Sequence, residues 1–172
     1  MIFLGIGSNL DSKYGSRISN LNKIINLLQL EKIEIVKISS VYESPSYPNK
    51  KNPKFLNIVT EIKFNSDLNE LFKKIAFIEE EMGRKRTYKN EPRTCDIDVI
   101  DFNQMVLDSE KICLPHPRTH ERNFVLYPLQ EINAQWTHPK SNKKIHTLID
   151  NLSFDESNEI TRLKERVILN KW

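Results

Sequence analysis

Phe55-Leu56-Asn57-Ile58-Val59-Thr60-Glu61-Ile62-Lys63-Phe64 alternates with the period of a β-strand. Leu56, Ile58, Thr60, Ile62 and Phe64 share one side of the extended chain, and Phe55, Asn57, Val59 and Glu61 share the other. Upstream, the β-branched content from Ile33 to Tyr42 predicts a second strand, joined to the first through a loop holding Pro45, Pro48 and Pro53. Before that, Ile18, Leu21, Ile25 and Leu28 recur at helical spacing, so residues from about 17 to 30 form an amphipathic helix. The chain opens on an apolar run, Met1 to Ile6, that breaks into a turn at Gly5-Ile6-Gly7-Ser8-Asn9. Downstream, Asp67 with Glu70 three residues on is a capping box. Leu68, Leu71, Phe72, Ile75, Ile78 and Met82 form the stripe of a second helix, closed by Gly83. Thr94 to Phe102 is a further strand.

The resulting order is β-α-β-β-α-β. Two right-handed βαβ halves pack two helices on one face of a four-stranded antiparallel sheet, which is a ferredoxin-like α+β sandwich. The remainder adds extra short strands (Met105 to Leu107, Ile112 to Leu114), a helical segment over Asn123 to Ile132 and a charged C-terminal stretch. No internal repeat or second domain is visible, so residues 1–172 are expected to be a single domain.

The 172 residues carry 26 Lys and Arg against 23 Asp and Glu, with 38% hydrophobic and 28% charged residues. That composition belongs to a globular chain with room for a core, and only 4 Gly and 8 Pro exclude collagen-like or low-complexity sequence. A net charge of +3 does not by itself announce a nucleic-acid partner. Fully apolar runs such as Met1 to Leu4 are far short of the ~20 residues that span a bilayer, and no leader pattern is visible, so a cytoplasmic location is expected. Cys95 and Cys113 lack the spacing of a zinc site or a disulfide framework and read as small apolar fillers.

Asp96 and Asp98 lie two apart on the last strand, so their carboxylates leave one face while Cys95, Ile97 and Val99 leave the other. A separation of about 6.6 Å along the strand lets the two share one hard cation or bridge two. Alone this spacing also suits a solvated strand face. The ten residues before and including Arg93 change the weighting, because Arg84, Lys85, Arg86, Lys89 and Arg93 stand there against a single acid, Glu91. Cations running into paired carboxylates are the composition of a phosphate and metal site. His116 and Arg118, with their backbone stiffened by Pro115 and Pro117, and Arg122 add an imidazole and two guanidiniums. Phe55 and Asn57 put an aromatic plane beside an amide, which suits a flat heterocycle with edge donors and acceptors. No P-loop or dinucleotide fingerprint is present.

Leu4-Gly5-Ile6-Gly7-Ser8-Asn9-Leu10, Ser39-Ser40-Val41-Tyr42, Phe55-Leu56-Asn57, Gly83-Arg84-Lys85-Arg86, Pro92-Arg93-Thr94-Cys95-Asp96-Ile97-Asp98 and Leu114-Pro115-His116-Pro117-Arg118 follow one another in this order. In this the chain resembles the 6-hydroxymethyl-7,8-dihydropterin pyrophosphokinase family of folate biosynthesis, from Ile2 to about Ile132. The resemblance implies pyrophosphoryl transfer from ATP to the pterin hydroxymethyl oxygen with release of AMP and use of two Mg2+ ions. It implies that Asp96 and Asp98 bind metal, that Arg84 and Arg93 stabilise the transferring group, and that Glu79, His116 and Arg122 line the ATP site. Ser44, Pro45, Phe55, Asn57 and Phe124 match the pterin pocket, the two rings sandwiching the bicycle.

Three departures from the family pattern stand out. Lys89-Asn90-Glu91 replaces the Arg-Trp-Gly of many members, Ala76 occupies a position polar in some, and Lys111 and Cys113 replace an Arg and a Thr. Residues 84 to 92 are expected to be a lid over ATP, with charge standing in for the missing Trp. The competing class is an RNA-binding sheet. The third strand lacks the Arg/Lys-Gly-Phe/Tyr pattern of such domains, and the acid pair repels phosphate unless metal is present. The expected partners are therefore ATP and the pterin, with no nucleic acid and no membrane, and the expected state is a monomer.

Overall fold

In the computed structural model, residues 1–84, 91–109, 112–153 and 159–169 are described. The alternating stretch forms β4 (Phe55–Lys63), which runs through the middle of an antiparallel sheet. β1 (Ile2–Ser8) pairs with it from Ile2 opposite Ile62 to Ser8 opposite Leu56, and β5 (Asp96–Phe102) lies on the far side of β1.

On its other side β4 is met by two strands where the sequence predicted one. β2 (Glu34–Ile38) pairs with its C-terminal half, Ile38 opposite Thr60, and β3 (Tyr42–Ser44) with its start, Tyr42 opposite Asn57. The break falls at two serines, where side-chain oxygens compete with the ladder for backbone donors. Ser39 Oγ accepts the Val59 N–H at 3.0 Å, and the Ser40 N–H is given to the Glu131 carboxylate at 3.1 Å.

The helices form where their caps place them. Ser16 accepts from the Ser19 N–H at the start of α1 (Arg17–Leu30), and Asp67 accepts the Glu70 N–H at 2.9 Å at the start of α2 (Leu68–Glu81). Gly83, at φ +78°, takes the left-handed turn that ends α2. Leu21, Ile25, Leu28, Leu71, Ile75 and Ile78 close the main core against Ile2, Leu4, Ile6, Leu56, Ile58, Ile62, Ile97 and Val99. Cys95 is buried there, as a small filler should be, whereas Cys113 is only half-buried.

The expected two-layer sandwich is incomplete. A short hairpin of β6 (Leu107–Asp108) and β7 (Cys113–Leu114) is followed by a 3-10 turn (Thr119–Glu121), α3 (Asn123–Ile132) and α4 (Ile145–Asp150). Phe3, Val59 and Ile100 on the second sheet face pack against Val125, Leu126, Leu129, Trp136, Ile145 and Leu148. The sheet is thus covered on both sides. Ile100 continues the face of Asp96 and Asp98 into this second core, and a register shift of β1 against β5 between Phe3 and Leu4 lets the buried Asp101 join that side and accept from Trp136 Nε1 at 2.8 Å. Finally β8 (Thr161–Arg162), unforeseen in the sequence, adds to the outer side of β3.

Candidate active site

The second sheet face is core at one end only. Toward the other, β1 offers Gly5 and Gly7, β4 offers Phe55 and Asn57, and β5 offers Asp96 and Asp98, and these residues line an open cleft. Gly7 has no spare room, because a Cβ there would stand 3.2 Å from Asn57 Oδ1 and 3.3 Å from the Phe55 ring. Ser44, Pro45, Arg93, Arg118, Arg122 and Phe124 complete the walls among the residues singled out in the sequence.

At the acidic end every carboxylate meets a guanidinium. Asp96 is 2.7 Å from Arg84 Nη1 and 2.5 Å from Arg93 Nη2, while Asp98 is 2.9 Å from Arg122 Nη1. Glu79 is buried at the end of α2, where it pairs with Arg84 and accepts the Ile97 N–H at 3.0 Å. The turn at Gly83 makes this pairing local: the Arg84 N–H returns to the Glu79 carbonyl at 2.9 Å. Glu79 and Arg84 therefore stand behind Asp96, outside the residues that line the cleft. Arg84 Nε and Arg93 Nε are buried donors without an acceptor among the described residues.

His116 also stands off the cleft wall. Its Nδ1 accepts the Arg118 N–H at 3.2 Å, which assigns the neutral ring as the Nε2–H tautomer. Burial lowers its pKa from the usual value, with Asp98 opposing and Arg122 reinforcing the shift.

The heterocycle end is made of neutral groups. Asn57 is buried rather than merely outward-facing, and its Nδ2 donates to Ser44 Oγ at 3.0 Å and to the Tyr42 carbonyl at 3.4 Å. Phe55 and Phe124 both reach the cleft, each carrying a guanidinium on its ring. Arg93 is 5.1 Å from the Phe55 centroid and Arg122 is 5.5 Å from that of Phe124. The same two arginines thus connect the two ends.

Several site residues had no sequence signal of their own. Tyr47, Lys50, Glu121 and Glu159 line the cleft, and the Arg118 guanidinium lies 5.0 Å from the Tyr47 ring centroid. Asn9 is a buried hub: it accepts the Arg93 N–H at 2.7 Å and donates to Ser46 Oγ at 3.1 Å and the Pro53 carbonyl at 3.0 Å. Its place after Gly-x-Gly-Ser, where a strand ends, was the available hint. The expected lid, including Lys85, Arg86, Lys89 and Asn90, falls for residues 85–90 outside the described residues, as does Lys111.

As a cation site the acid pair has hard oxygen donors but few of them, and among the described residues no group of three or more His, Cys, Asp or Glu side chains could hold a metal. Two carboxylates without a full protein cage suit magnesium, which keeps waters and takes its other ligands from phosphate.

Comparison with known proteins first defines the fold class. Crystal structures of the Plasmodium falciparum HPPK-DHPS chain superpose with TM-scores of 0.68 for the wild type and 0.70 for an A437G form, at 17% identity in each case. The wild-type match covers 97% of this chain and 49% of that one, so at this identity the likeness concerns the α+β fold alone, and this chain spans about half of its neighbour. Sequence relatives then give the family. The 2-amino-4-hydroxy-6-hydroxymethyldihydropteridine pyrophosphokinase of Aquifex aeolicus is 40% identical over 138 residues, covering 80% of this chain and 83% of the relative. The enzyme of the same name from Bacillus subtilis is 37% identical, covering 77% and 78%. The folic acid synthesis protein fol1 of Pneumocystis carinii is 30% identical over 88% of this chain, which spans only 20% of that protein. The family model described as 7,8-dihydro-6-hydroxymethylpterin-pyrophosphokinase matches residues 3–134, and the chain belongs to this family.

Proposed function

We propose that the protein transfers pyrophosphate from ATP to 6-hydroxymethyl-7,8-dihydropterin, giving the pterin diphosphate and AMP in folate synthesis. The pterin hydroxymethyl oxygen attacks the β-phosphorus, the bond from that phosphorus to the α,β-bridging oxygen breaks, AMP leaves, and the hydroxyl proton passes to solvent. The observation that carries the reading is a single cleft with the Asp96 and Asp98 carboxylates at one end and the Phe55, Asn57 and Phe124 pocket at the other.

Each residue then has a task that its chemistry suits. Asp96 and Asp98 would hold two magnesium ions, which supply charge neutralisation on the phosphate oxygens. Arg93, whose Nε donor lacks an acceptor among the described residues, stabilises the transferring group from the cleft wall, and Arg84, likewise short of an acceptor at Nε, supports it from behind Asp96. Arg122 and His116 hold phosphate oxygens, and Glu79 fixes Arg84 from behind. Phe55 and Phe124 stack on the pterin while Asn57, Ser44 and Pro45 meet its edge. An alcohol attacking phosphorus needs alignment and charge neutralisation more than a strong base, and the cleft supplies the first two.

The same reading takes β5-β1-β4-β2 with α1 and α2 as a ferredoxin-like core. It treats residues 1–172 as one pyrophosphokinase domain, acting as a cytoplasmic monomer without nucleic-acid or membrane partners. Among the described residues no helix is long and apolar enough to cross a membrane. Incubation with ATP, Mg2+ and the reduced hydroxymethylpterin should release AMP in step with pterin diphosphate. AMP release independent of the pterin, or none at all, would refute the assignment.

A further inference from the structure

The chain beyond residue 134 lies outside the family match, yet part of it borders the cleft. β8 is firmly attached: Arg162 pairs with Tyr42 and Thr161 with Glu43 across the ladder, and the Leu163 N–H reaches the Val41 carbonyl at 2.8 Å. Arg162 donates from Nε to Ser40 Oγ at 2.9 Å and meets the Glu131 carboxylate at 3.2 Å. Glu131 also accepts from Tyr42 Oη at 3.0 Å, so the network ties α3, β3 and β8 together. Leu163 and Val167 pack on the main core. Two residues before β8, Glu159 lines the cleft and forms an ion pair with Lys50.

Lys50 sits at the tip of the 45–53 loop, which begins at the cleft residues Ser44 and Pro45. The base of this loop is held by Asn9 through Ser46 and Pro53, but residues 47–51 are exposed. Little buried surface fixes the tip, so its position depends on a few lateral contacts. Arg118 over Tyr47 reaches it from one side and Glu159 on Lys50 from the other.

We propose that the C-terminal strand is a working part of the substrate cleft: Glu159, through Lys50, holds the 45–53 loop against the pterin end, making both positioning residues for that substrate. This rests on the pyrophosphokinase reading above. Because the pair fixes a wall and not the reacting phosphates, its loss weakens pterin binding without slowing the chemical step. The pair is partly exposed, so the expected effect is modest, a factor of up to about five.

Reversing either charge tests this in the full chain. Lys50→Glu and Glu159→Lys should each raise the pterin KM about fivefold, with kcat and the ATP KM nearly unchanged, and the double reversal should restore the pterin KM. Unchanged pterin KM in both single variants overturns the proposal. So does a raised ATP KM that the double reversal leaves in place, which would put Lys50 on the phosphates instead. Hydrogen exchange over residues 46–52 in the ligand-free protein should quicken in Glu159→Lys and recover in the double variant, and equal rates in all three proteins also overturn it. The exchange measurement needs no turnover, so a wild-type protein that releases no AMP counts against the functional reading alone.

Discussion

At the acidic end of the cleft, each of the carboxylates Asp96 and Asp98 has a guanidinium within 3 Å. At the heterocycle end, Asn57 and Ser44 bond to each other, and the Phe55 and Phe124 rings stand ready-made on a strand and a helix. On the proposed reading, the two ends therefore meet their ligands differently. Phosphate and cation have to replace ion pairs already formed, exchanging Arg–Asp contacts for Arg–phosphate and Asp–metal contacts of the same kind. A flat heterocycle has only to displace guanidiniums from aromatic faces, where a partly exposed cation–π contact is worth about 0.5–1 kcal/mol. The arginines that lie over the rings are also those paired with the carboxylates. If both ligands bind as proposed, Arg93 and Arg122 are the contacts through which filling one end should favour filling the other.

The harshest way to break this contrast is to remove the acids. Asp96→Ala or Asp98→Ala should lower turnover by about a thousandfold or more, as loss of directed charge stabilisation does. The circular dichroism spectrum should stay native, since neither side chain fills the core. Near-normal AMP release from either variant would mean that the Arg–Asp pairs are structural only.

A smaller effect isolates the other end. Phe124→Ala should weaken pterin binding by about tenfold, the scale of a lost aromatic stack, and leave binding of a nonhydrolysable ATP analogue nearly intact in calorimetry. Equal losses for both ligands would make the ring part of the scaffold instead. Salt sharpens the same contrast without mutation. Raising ionic strength from about 0.05 to 0.5 M should weaken the ATP analogue severalfold more than the pterin, because screening acts on the charged end.

The smallest effect concerns the scaffold behind the cleft. His138 is buried beside Trp136 and His120, and burial, then the His120 charge, lowers its pKa. Its Nδ1 accepts the Ser141 N–H at 3.2 Å, as a neutral ring should. The folded state therefore binds fewer protons than the unfolded one below the ordinary histidine range. Its contribution to stability is complete above about pH 6.5 and declines as pH falls through the lowered value. The urea midpoint should drift down from pH 7 to 5, and His138→Gln should remove part of that drift, the rest belonging to groups such as His116. A drift unaltered by the substitution would assign none of it to His138.

What could be read from the residues alone was what neighbours within a few positions decide. The alternation of Phe55 to Phe64, the Asp67 cap, the apolar stripe of α2 and the shared face of Asp96 and Asp98 each follow from backbone periods and local hydrogen bonds, and each is present. The helix at Asn123–Ile132 was legible for the same reason. Tertiary structure alone decided the features whose partners are far apart in sequence. On their face of the sheet Val59, Phe3 and Ile100 adjoin Gly5, Asn57, Glu61 and Asp98, so only the arrival of α3 and α4 turns them into a second core. The strand from Ile33 to Tyr42 breaks because Glu131, some ninety positions on, captures the Ser40 N–H, a competitor that propensity cannot see. Charged residues carry the least sequence signal of all, since water satisfies each of them equally well until packing brings a partner. Thus Glu79 and Arg84 proved to stand behind the acid pair rather than on the cleft wall. Glu159, in a tail with no pattern to mark it, proved to reach Lys50 at its mouth.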